Sequence, residues 1–393
     1  MKIVWLSSWP PRACGIATYS DELVTALRKA NNEIYVICHP DGGRPGEKNI
    51  YPVMNTDVHG WDGVVHDTIQ KIKPDVVHIQ HEYGLYQTSG DHASGLLRLG
   101  FRLHVQGKYP LVITYHSIYT RLNPMICLYM DIMQRLVHAG IAHAEYQWVN
   151  LHANLGRMVD NMYVIPHGAA AKVSISRKEA KKRLGLAGRR VVGMLGWFTQ
   201  TKGFDSVLEI WDDLAPALGE DTTLMLAGDA RMGDSNQIDY KQKLLSLVNQ
   251  CKYKDQIKVE LGSFAPGAYN RIMAAFDLMV MPYTFASQSG NLAHSFALGV
   301  PAVVSGIEGL KAEAEASGAA VAVPPGDREE LKRAILMVMG DESLRKKYSQ
   351  RARSYVRKKI SWSITAKKHI QVYKKAIHRN QQGGHSLIAE AFL

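Results

Sequence analysis

Apolar and polar residues follow two alternating rhythms along the chain. Short apolar runs rich in Val, Ile and Leu predict buried strands, whereas the stretches between them, such as YSDELVTALRKA at 19–30, carry apolar residues at helical spacing. In the first half the predicted strands are KIVWL (2–6), EIYVIC (33–38), DVVHIQ (75–80), LVITY (111–115) and MYVIP (162–166). In the second half they are VVGMLGW (191–197), TTLMLAG (222–228), IKVELG (257–262), DLMVMP (277–282) and PAVVS (301–305). This alternation predicts an α/β fold built from doubly wound parallel sheets.

The alternation is interrupted by a polar and basic stretch at about 168–188, which predicts a linker between two domains. We therefore expect two Rossmann-like domains, one over 1–170 and one over 188–345. Open sheets of this kind bind ligands outside the carboxyl ends of their strands, so we expect the two domains to face a cleft. The segments 341–359 and 361–379 predict two helices that follow the completed second sheet.

Composition is that of a soluble folded protein. The chain has 393 residues, of which 46% are hydrophobic and 21% charged, and no apolar run approaches the roughly 18 residues of a membrane span. The apolar stretch at the amino terminus is too short for a signal peptide, which predicts a cytoplasmic protein. The 4 cysteines lie far apart without metal or redox spacing, so we expect buried free thiols.

The net charge of +11 is concentrated near the carboxyl terminus. Residues 343–388 contain 13 Lys and Arg and no Asp or Glu, which leaves a net charge of −2 on the rest of the chain. Such a basic segment is either a solvated helix surface or a surface for anionic lipid at the inner face of a membrane. No recognised nucleic-acid module accompanies it, so nucleic acid is not an expected partner.

Several common nucleotide motifs are absent from the sequence. It contains neither GxGxxG nor GxxxxGK[ST], which disfavours a nicotinamide enzyme or a P-loop nucleotidase. It also lacks Asp-x-Asp, which argues against a nucleotide-sugar site built around a metal held by that motif, and no metal site is expected.

Polar residues follow the predicted strands of the first domain. Gly15 precedes the first helix, where free backbone N–H groups suit an anion, although a tight structural turn explains it equally well. Gln80, His81 and Glu82 crowd the end of the strand DVVHIQ, and a catalytic or binding role is weighed there against a buried structural histidine. His116 comes directly after a buried strand and is placed to hydrogen-bond a substrate hydroxyl.

The second domain offers comparable loops. In LGWFTQTKGFD, Lys202 lies at a helix start, where a positive charge and free amides suit a phosphate; a surface lysine is the alternative. The loops LAGDARMGD (226–234) and LGSFAPGAY (261–269) also follow strands. The stretch SQSGNLAHSFALGVP (287–301) lies between a strand and a helix, and its small polar residues suggest a loop that approaches a ligand closely.

Taken together, these motifs resemble those of GT-B glycosyltransferases, and most closely glycosyltransferase family 4. The likeness covers nearly the whole chain: IQHEYGLY, TYHS and VIPHG in the first domain, then LGWFTQTKGFD, LAGD, LGSF, DLMVMP and GVPAVVS in order. The resemblance implies an acceptor-side first domain completed by a C-terminal helix at about 362–393. It implies a second domain that binds the nucleotide sugar, and transfer with retention of configuration without a required metal or other cofactor.

Roles for individual residues follow from this resemblance. His116, with Glu82 and His81, is implied on the catalytic side, and Lys202 should meet the donor diphosphate, which the first loop approaches at Gly15. The donor-binding residues are expected to be Gly15, Thr199, Gln200, Lys202, Gly228, Asp229, Ser263, Phe264, Ser289, Gly290, Asn291, Leu292 and His294.

The sequence also departs from the family pattern. Trp197 stands where an Arg usually precedes the phosphate Lys, and the paired glutamates of the family fall on Ala286 and His294. The segment SGNLA (289–293) resembles a subset in which backbone amides hold the diphosphate, and there His294 is expected to donate to a ribose oxygen or phosphate. Altered donor binding is therefore favoured over loss of activity.

The expected function is transfer of a hexose to a glycan or a lipid-linked acceptor. GDP-mannose is the leading donor, because IQHEYG and SGxLA resemble mannosyltransferase-like members, and UDP-glucose is the next. The alternatives are a GT-B scaffold subunit that binds without turnover and, third, a nucleotide-sugar epimerase. The helix predicted in LNPMICLYMDIMQRLVHAG (122–140) favours core packing over membrane contact.

Overall fold

The computed structural model describes residues 1–86, 94–106, 109–171, 175–286 and 289–382. The chain divides into two compact units: residues 1–168 with the segment from 362 onward, and residues 169–361. In the described part of the chain, no helix is both long and apolar enough to cross a membrane.

The first unit contains a parallel sheet of 7 strands in the order β3-β2-β1-β4-β5-β6-β7. The strands are β1 (Lys2–Leu6), β2 (Glu33–Ile37), β3 (Ile50–Tyr51), β4 (Val76–His81), β5 (Leu111–Tyr115), β6 (Ala139–Ala142) and β7 (Met162–Val164). The helices between them are α1 (Gly15–Lys29), α2 (Trp61–Ile72), α3 (Gly95–Phe101), α4 (Pro124–Leu136) and α5 (Glu145–Leu155). The central strands are fully buried because helices cover both faces of the sheet.

The second unit contains a parallel sheet of 6 strands in the order β10-β9-β8-β11-β12-β13. The strands are β8 (Arg190–Leu195), β9 (Thr222–Gly228), β10 (Ile257–Leu261), β11 (Leu278–Met281), β12 (Ala302–Ser305) and β13 (Ala320–Val323). The helices are α6 (Arg177–Arg183), α7 (Phe204–Leu208), α8 (Trp211–Leu218), α9 (Ser235–Gln250), α10 (Pro266–Ala274), α11 (Gly290–Leu298), α12 (Glu308–Ser317), α13 (Arg328–Gly340) and α14 (Glu342–Tyr355). Two apolar clusters, one on each side of this sheet, form its core.

The two helices predicted at the carboxyl end belong to different units. Helix α14 lies in the second unit, whereas α15 (Trp362–Gln381) lies in the first and packs against α1. Trp362 begins α15 and contacts Gly168 so closely that a Cβ on Gly168 would lie 2.2 Å from the indole ring. The fold class is confirmed, with the last helix returning to the first domain; the end of the predicted segment, 383–393, lies outside the described residues.

Two local predictions need correction. The predicted linker contains helix α6, whose start is capped because the Ser176 side chain accepts a hydrogen bond from the Glu179 amide; residues 172–174 of that stretch lie outside the described residues. Helix α4 ends at Leu136, and part of its predicted length is instead strand β6. One face of α4 is buried as predicted, but Met125 and Leu128 are 74% and 54% exposed on the other.

The cysteines are free thiols, as the sequence predicts. Cys38 is buried, whereas Cys14, Cys127 and Cys251 are only partly buried.

Candidate active site

Both sheets reverse their strand order at one point, which marks the edge where ligands of such folds bind. The reversal lies between β1 and β4 in the first unit and between β8 and β11 in the second. Lys202 ends a single 3₁₀ turn, Gln200–Lys202, in the loop after β8. The loop that contains Lys202 therefore lies at the switch point of the second sheet.

The Lys202 ammonium group is held by an aromatic residue of the neighbouring loop. Its Nζ donates to the hydroxyl of Tyr283 at 3.2 Å and lies 4.8 Å from the centre of that ring. Among the described residues, Lys202 forms no ion pair with a carboxylate. A cation held by a neutral partner keeps its charge available for an anionic ligand.

Two glycines allow the loops of this edge to approach each other. Gly196 follows β8 with φ of 141°, and a Cβ there would lie 3.1 Å from Lys202 Nζ and 3.3 Å from Asn291 Nδ2. Gly228 ends β9 with φ of 154°, and its Cβ would lie 1.9 Å from the Gly196 carbonyl oxygen. A side chain at Gly228 would displace the Gly196 backbone, whereas one at Gly196 would press on the ends of the Lys202 and Asn291 side chains; the φ at both positions favours glycine.

The start of helix α11 lies beside Lys202, with Ser289 at the N-cap and Gly290 exposed at its first position. The Asn291 side chain connects this helix to the sheet: its Nδ2 donates to the Leu195 carbonyl at 2.8 Å, and its Oδ1 accepts from the Tyr269 hydroxyl. Leu292 is buried in the core. The side chain of Asn291 thus fixes the helix start, and the amides of the first turn are the groups available to an anion. Residues 287 and 288 lie outside the described residues.

His294 lies one turn further along α11. Its Nε2 is hydrogen-bonded to Asn270 Oδ1, and its ring lies edge-on to Tyr269 at 5.9 Å between ring centres. Because an amide oxygen only accepts, Nε2 carries a proton. The structure places His294 between α10 and α11, with one ring nitrogen used by a protein partner.

The remaining predicted donor residues lie on neighbouring loops. Thr199 is hydrogen-bonded to Thr201 through their hydroxyls at 3.1 Å, and Gln200 is exposed. Asp229 forms an ion pair with Lys241 at 2.6 Å, and this bond keeps the pKa of its carboxyl below the usual value. Ser263 is exposed, and Phe264 packs against the core after β10.

In the first unit, His116 belongs to a chain of buried hydrogen bonds. Its Nε2 lies 2.9 Å from Gln80 Oε1, so it donates to that amide oxygen, and the Gln80 amide donates to His78 Nε2 at 3.0 Å. His78 in turn bonds the Tyr373 hydroxyl of α15 through Nδ1 at 2.6 Å. The last helix is therefore connected to His116 through two side chains of β4.

Burial keeps the imidazole of His116 neutral. The side chain is 7% exposed, and desolvation, followed by repulsion from neighbouring histidines, holds its pKa well below the usual value. A neutral imidazole can hydrogen-bond a substrate hydroxyl without carrying a permanent charge.

Tyr19, from α1, packs at the centre of an aromatic cluster around His116. Its ring lies 4.9 Å from that of His116, 5.4 Å from His143, 5.0 Å from His167 and 5.3 Å from Trp362. The Tyr19 hydroxyl is buried and has no hydrogen-bond partner among the described residues. It is a polar group of this cluster that sequence reasoning missed.

His81 and Glu82 are placed differently. His81 is fully buried among tyrosines, where its Nε2 is 3.0 Å from the Tyr129 hydroxyl and burial lowers its pKa to about 3. Because side chains alternate along a strand, it lies on the opposite face of β4 from Gln80. Glu82 accepts hydrogen bonds from the Tyr83 amide at 3.1 Å and the Ser117 hydroxyl at 2.7 Å, and burial raises its pKa. The structure thus does not bring the His81 side chain into the group that contains His116.

Gly15 begins α1 and is exposed at the switch point of the first sheet. A Cβ at this position would meet no atom within 4 Å, so the described fold does not require glycine there.

Because the described fold does not require glycine at position 15, Gly15→Ala tests whether a ligand approaches this loop closely. We expect an unchanged melting temperature, because no protein atom is displaced, and a several-fold higher KM for the nucleotide-sugar donor, because the added methyl group obstructs the loop. Gly267→Ala is the matched control, since its Cβ would also meet nothing. Equal donor KM values for the wild type and Gly15→Ala would remove Gly15 from the donor site.

No group of three or more His, Cys, Asp or Glu side chains in the described ranges is arranged to hold a metal ion.

Two family models match the chain in succession. The model described as Glycosyltransferase Family 4 matches residues 13–171, and the model described as Glycosyl transferases group 1 matches residues 176–355. The first model begins after β1 and covers β2 to β7, and the second covers β8 to β13 with helices α6 to α14.

Solved structures with the same fold cover almost the whole chain. HepE of Anabaena in complex with UDP shares 18% identity, with a TM-score of 0.74 over 95% of this chain and 100% of that one. Sucrose-phosphate synthase of Thermosynechococcus elongatus shares 17%, with a TM-score of 0.73 over 95% and 98%. A curated relative, glycogen synthase of Hydrogenovibrio crunogenus, is 24% identical over 198 residues, which span 48% of this chain and 38% of the synthase.

Proposed function

Because the chain belongs to the GT-B glycosyltransferases, with a family 4 domain followed by a group 1 domain, we propose that it transfers a hexose from a nucleoside diphosphate sugar to a glycan or lipid-linked acceptor. The observation that carries this proposal is the Lys202 edge of the second unit. There a lysine without a carboxylate partner, the start of α11 and two glycine-dependent loops lie together at the switch point of the sheet. Such an edge suits a diphosphate.

The proposed chemistry is retaining transfer without an enzyme nucleophile. The bond between the sugar carbon and the diphosphate oxygen breaks as the acceptor oxygen bonds to the same face of that carbon. The acceptor's proton passes to the departing phosphate oxygen. The protein then contributes by holding the developing negative charge on the leaving group, through Lys202, and by orienting the sugar through the neutral imidazole of His116.

Two donors are proposed for testing. The sequence motifs favour GDP-mannose, whereas HepE structures contain UDP, UDP with glucose, or UDP-glucose, which supports UDP-glucose as the second candidate. No further cofactor is proposed.

A cytoplasmic protein that associates with the inner face of a membrane would fit a lipid-linked acceptor. The exposed Met125 and Leu128 on α4 and the basic residues of α15 support this part of the proposal.

The test is a transfer assay with GDP-mannose, UDP-glucose and their analogues against glycan and lipid-linked acceptors, read as nucleoside diphosphate release and product mass. Acceptor-dependent release with one donor supports the proposal. Tight donor binding without transfer or hydrolysis across the whole panel would favour the scaffold alternative. That alternative is considered because Ala286 and His294 replace the paired glutamates of the family. Interconversion of the donor without any acceptor would instead indicate an epimerase.

Lys202→Ala should weaken binding of the cognate nucleoside diphosphate about tenfold, because one charge-assisted contact to the phosphates is lost. Binding of the corresponding nucleoside should stay unchanged. Calorimetry measures both affinities, and Lys252→Ala, an exposed lysine of the same unit, serves as the control. Equal losses for the diphosphate and the nucleoside would show that Lys202 does not bind phosphate.

A further inference from the structure

The Lys202 edge supplies one lysine for a diphosphate that carries at least two negative charges. The other residues of its 3₁₀ turn, Gln200 and Thr201, are neutral, and so is Trp197 in the same loop. A second cation must therefore come from another loop if the charge is to be balanced.

Arg231 lies next to this loop. Its guanidinium carbon is 5.3 Å from the centre of the Trp197 ring, a distance typical of cation–π contact. Trp197 directly follows Gly196, whose added Cβ would lie 3.1 Å from Lys202 Nζ. The indole thus brings Arg231 to the loop that also carries Lys202.

Hydrogen bonds fix the backbone around Arg231, but among the described residues its guanidinium forms no ion pair with a carboxylate. The Asp229 carbonyl accepts from the Phe198 amide at 2.8 Å, and the Arg231 amide donates to Gln237 Oε1 at 3.0 Å. The Asp229 carboxylate is occupied by Lys241, and no ion pair involves Arg231 among the described residues. The side chain is exposed and lines a pocket of about 420 Å³ formed by the loop after β9 and by α9.

From this geometry we propose that Arg231, stacked on Trp197, is the second cation of the diphosphate site. The guanidinium donates two parallel hydrogen bonds to phosphate oxygens, a geometry that a single ammonium group cannot supply. Trp197 acts as a positioning residue that keeps the flexible arginine over the site. The inference rests on the proposed function, because it takes the ligand of the Lys202 edge to be a nucleoside diphosphate.

The test compares binding of UDP, GDP and the corresponding nucleosides to the full chain by calorimetry. Arg231→Gln should weaken binding of the cognate diphosphate about tenfold, leave nucleoside binding unchanged and reduce the dependence of diphosphate affinity on salt. Arg333→Gln is the matched control, because Arg333 is an exposed arginine of the same unit on α13.

A second variant separates a phosphate contact from a structural effect. Trp197→Arg places a guanidinium one residue from Gly196, so Trp197→Arg combined with Arg231→Gln should recover diphosphate affinity to within about threefold of the wild type, whereas a structural defect would persist. If Lys202→Ala loses diphosphate affinity and Arg231→Gln does not, or if Arg231→Gln weakens nucleoside binding equally, this inference is overturned and the proposed function stands. If the wild type binds no nucleoside diphosphate, both fail.

Discussion

Replacing His116 by alanine is expected to lower kcat by about 100-fold while the fold stays intact. His116 follows β5 and donates to Gln80 Oε1 at 2.9 Å, so its ring has a fixed orientation before substrate binds. The variant removes a polar group that we expect to contact the transferred sugar. Initial rates at saturating donor and acceptor measure the effect, and circular dichroism checks the fold.

His39→Ala is the matched control for this prediction. His39 is also a buried histidine of the first unit, bonded through Nε2 to the Leu85 carbonyl at 2.9 Å, but it lies outside the hydrogen-bond chain of His116. It should lower stability and leave kcat per folded molecule nearly unchanged. Near-normal kcat for His116→Ala would remove this residue from the mechanism.

Mild acid is expected to unfold the first unit. Its buried histidines have pKa values held below the usual value by burial, so they are neutral when folded and take up protons when unfolded. This holds for six of its buried histidines: His39, His78, His81, His116, His143 and His369.

The direction and magnitude of the change in stability follow from this difference in proton binding between the folded and unfolded states. The stabilisation is present above the unfolded pKa of about 6.5 and is lost as the pH falls below it, and at pH 5.5 each neutral buried histidine costs on the order of 1 kcal/mol. Six such histidines together cost several kcal/mol, which is comparable with the stability of a whole domain. Glu22, whose pKa is raised to about 7 by burial, opposes the trend, because its stabilisation is lost as the pH rises from 4.5 to 7. Glu22 offsets only a minor part of the stability that is lost through the histidines.

Thermal unfolding followed from pH 7.5 to 5.5 measures this effect. The transition of the first unit should move steeply to lower temperature. The second unit, which contains only one histidine, His294, should not be destabilised, because its buried Glu313 has a pKa raised to about 7 and contributes more stability as the pH falls. A melting curve that stays constant over this range would contradict the assignment of neutral buried histidines.

The sequence predicted the sheets well because their central strands are continuous apolar runs. Three strands were missed: β3 (Ile50–Tyr51), β6 (Ala139–Ala142) and β13 (Ala320–Val323). Strand β6 was missed because its residues are small and continue an apolar helix pattern. The helix ends nevertheless because a strand must fill the place between β5 and β7, a requirement of the sheet that no local pattern expresses.

Part of the candidate site could likewise be predicted from the sequence, and part could not. Gly228 ends β9, and Lys202 and the start of α11 belong to the segments that follow β8 and β11. A position at or after the end of a strand is visible in sequence. The bond from His78 to Tyr373 joins residues 295 positions apart, and the contact of Arg231 with Trp197 joins two different loops. Contacts of this kind form only in the folded protein, so the sequence around the individual residues does not predict them.

The most direct test of the account is a thermal-shift titration of the wild type and Lys202→Ala with GDP, UDP, ADP and their sugars. A ligand that binds only the folded protein raises its melting temperature in proportion to the logarithm of concentration once binding is saturated. The account predicts that one diphosphate and its sugar raise the melting temperature of the wild type, that the matching nucleoside does not, and that Lys202→Ala shows a smaller shift. No shift with any of these ligands at millimolar concentration would contradict a nucleoside diphosphate site at the Lys202 edge.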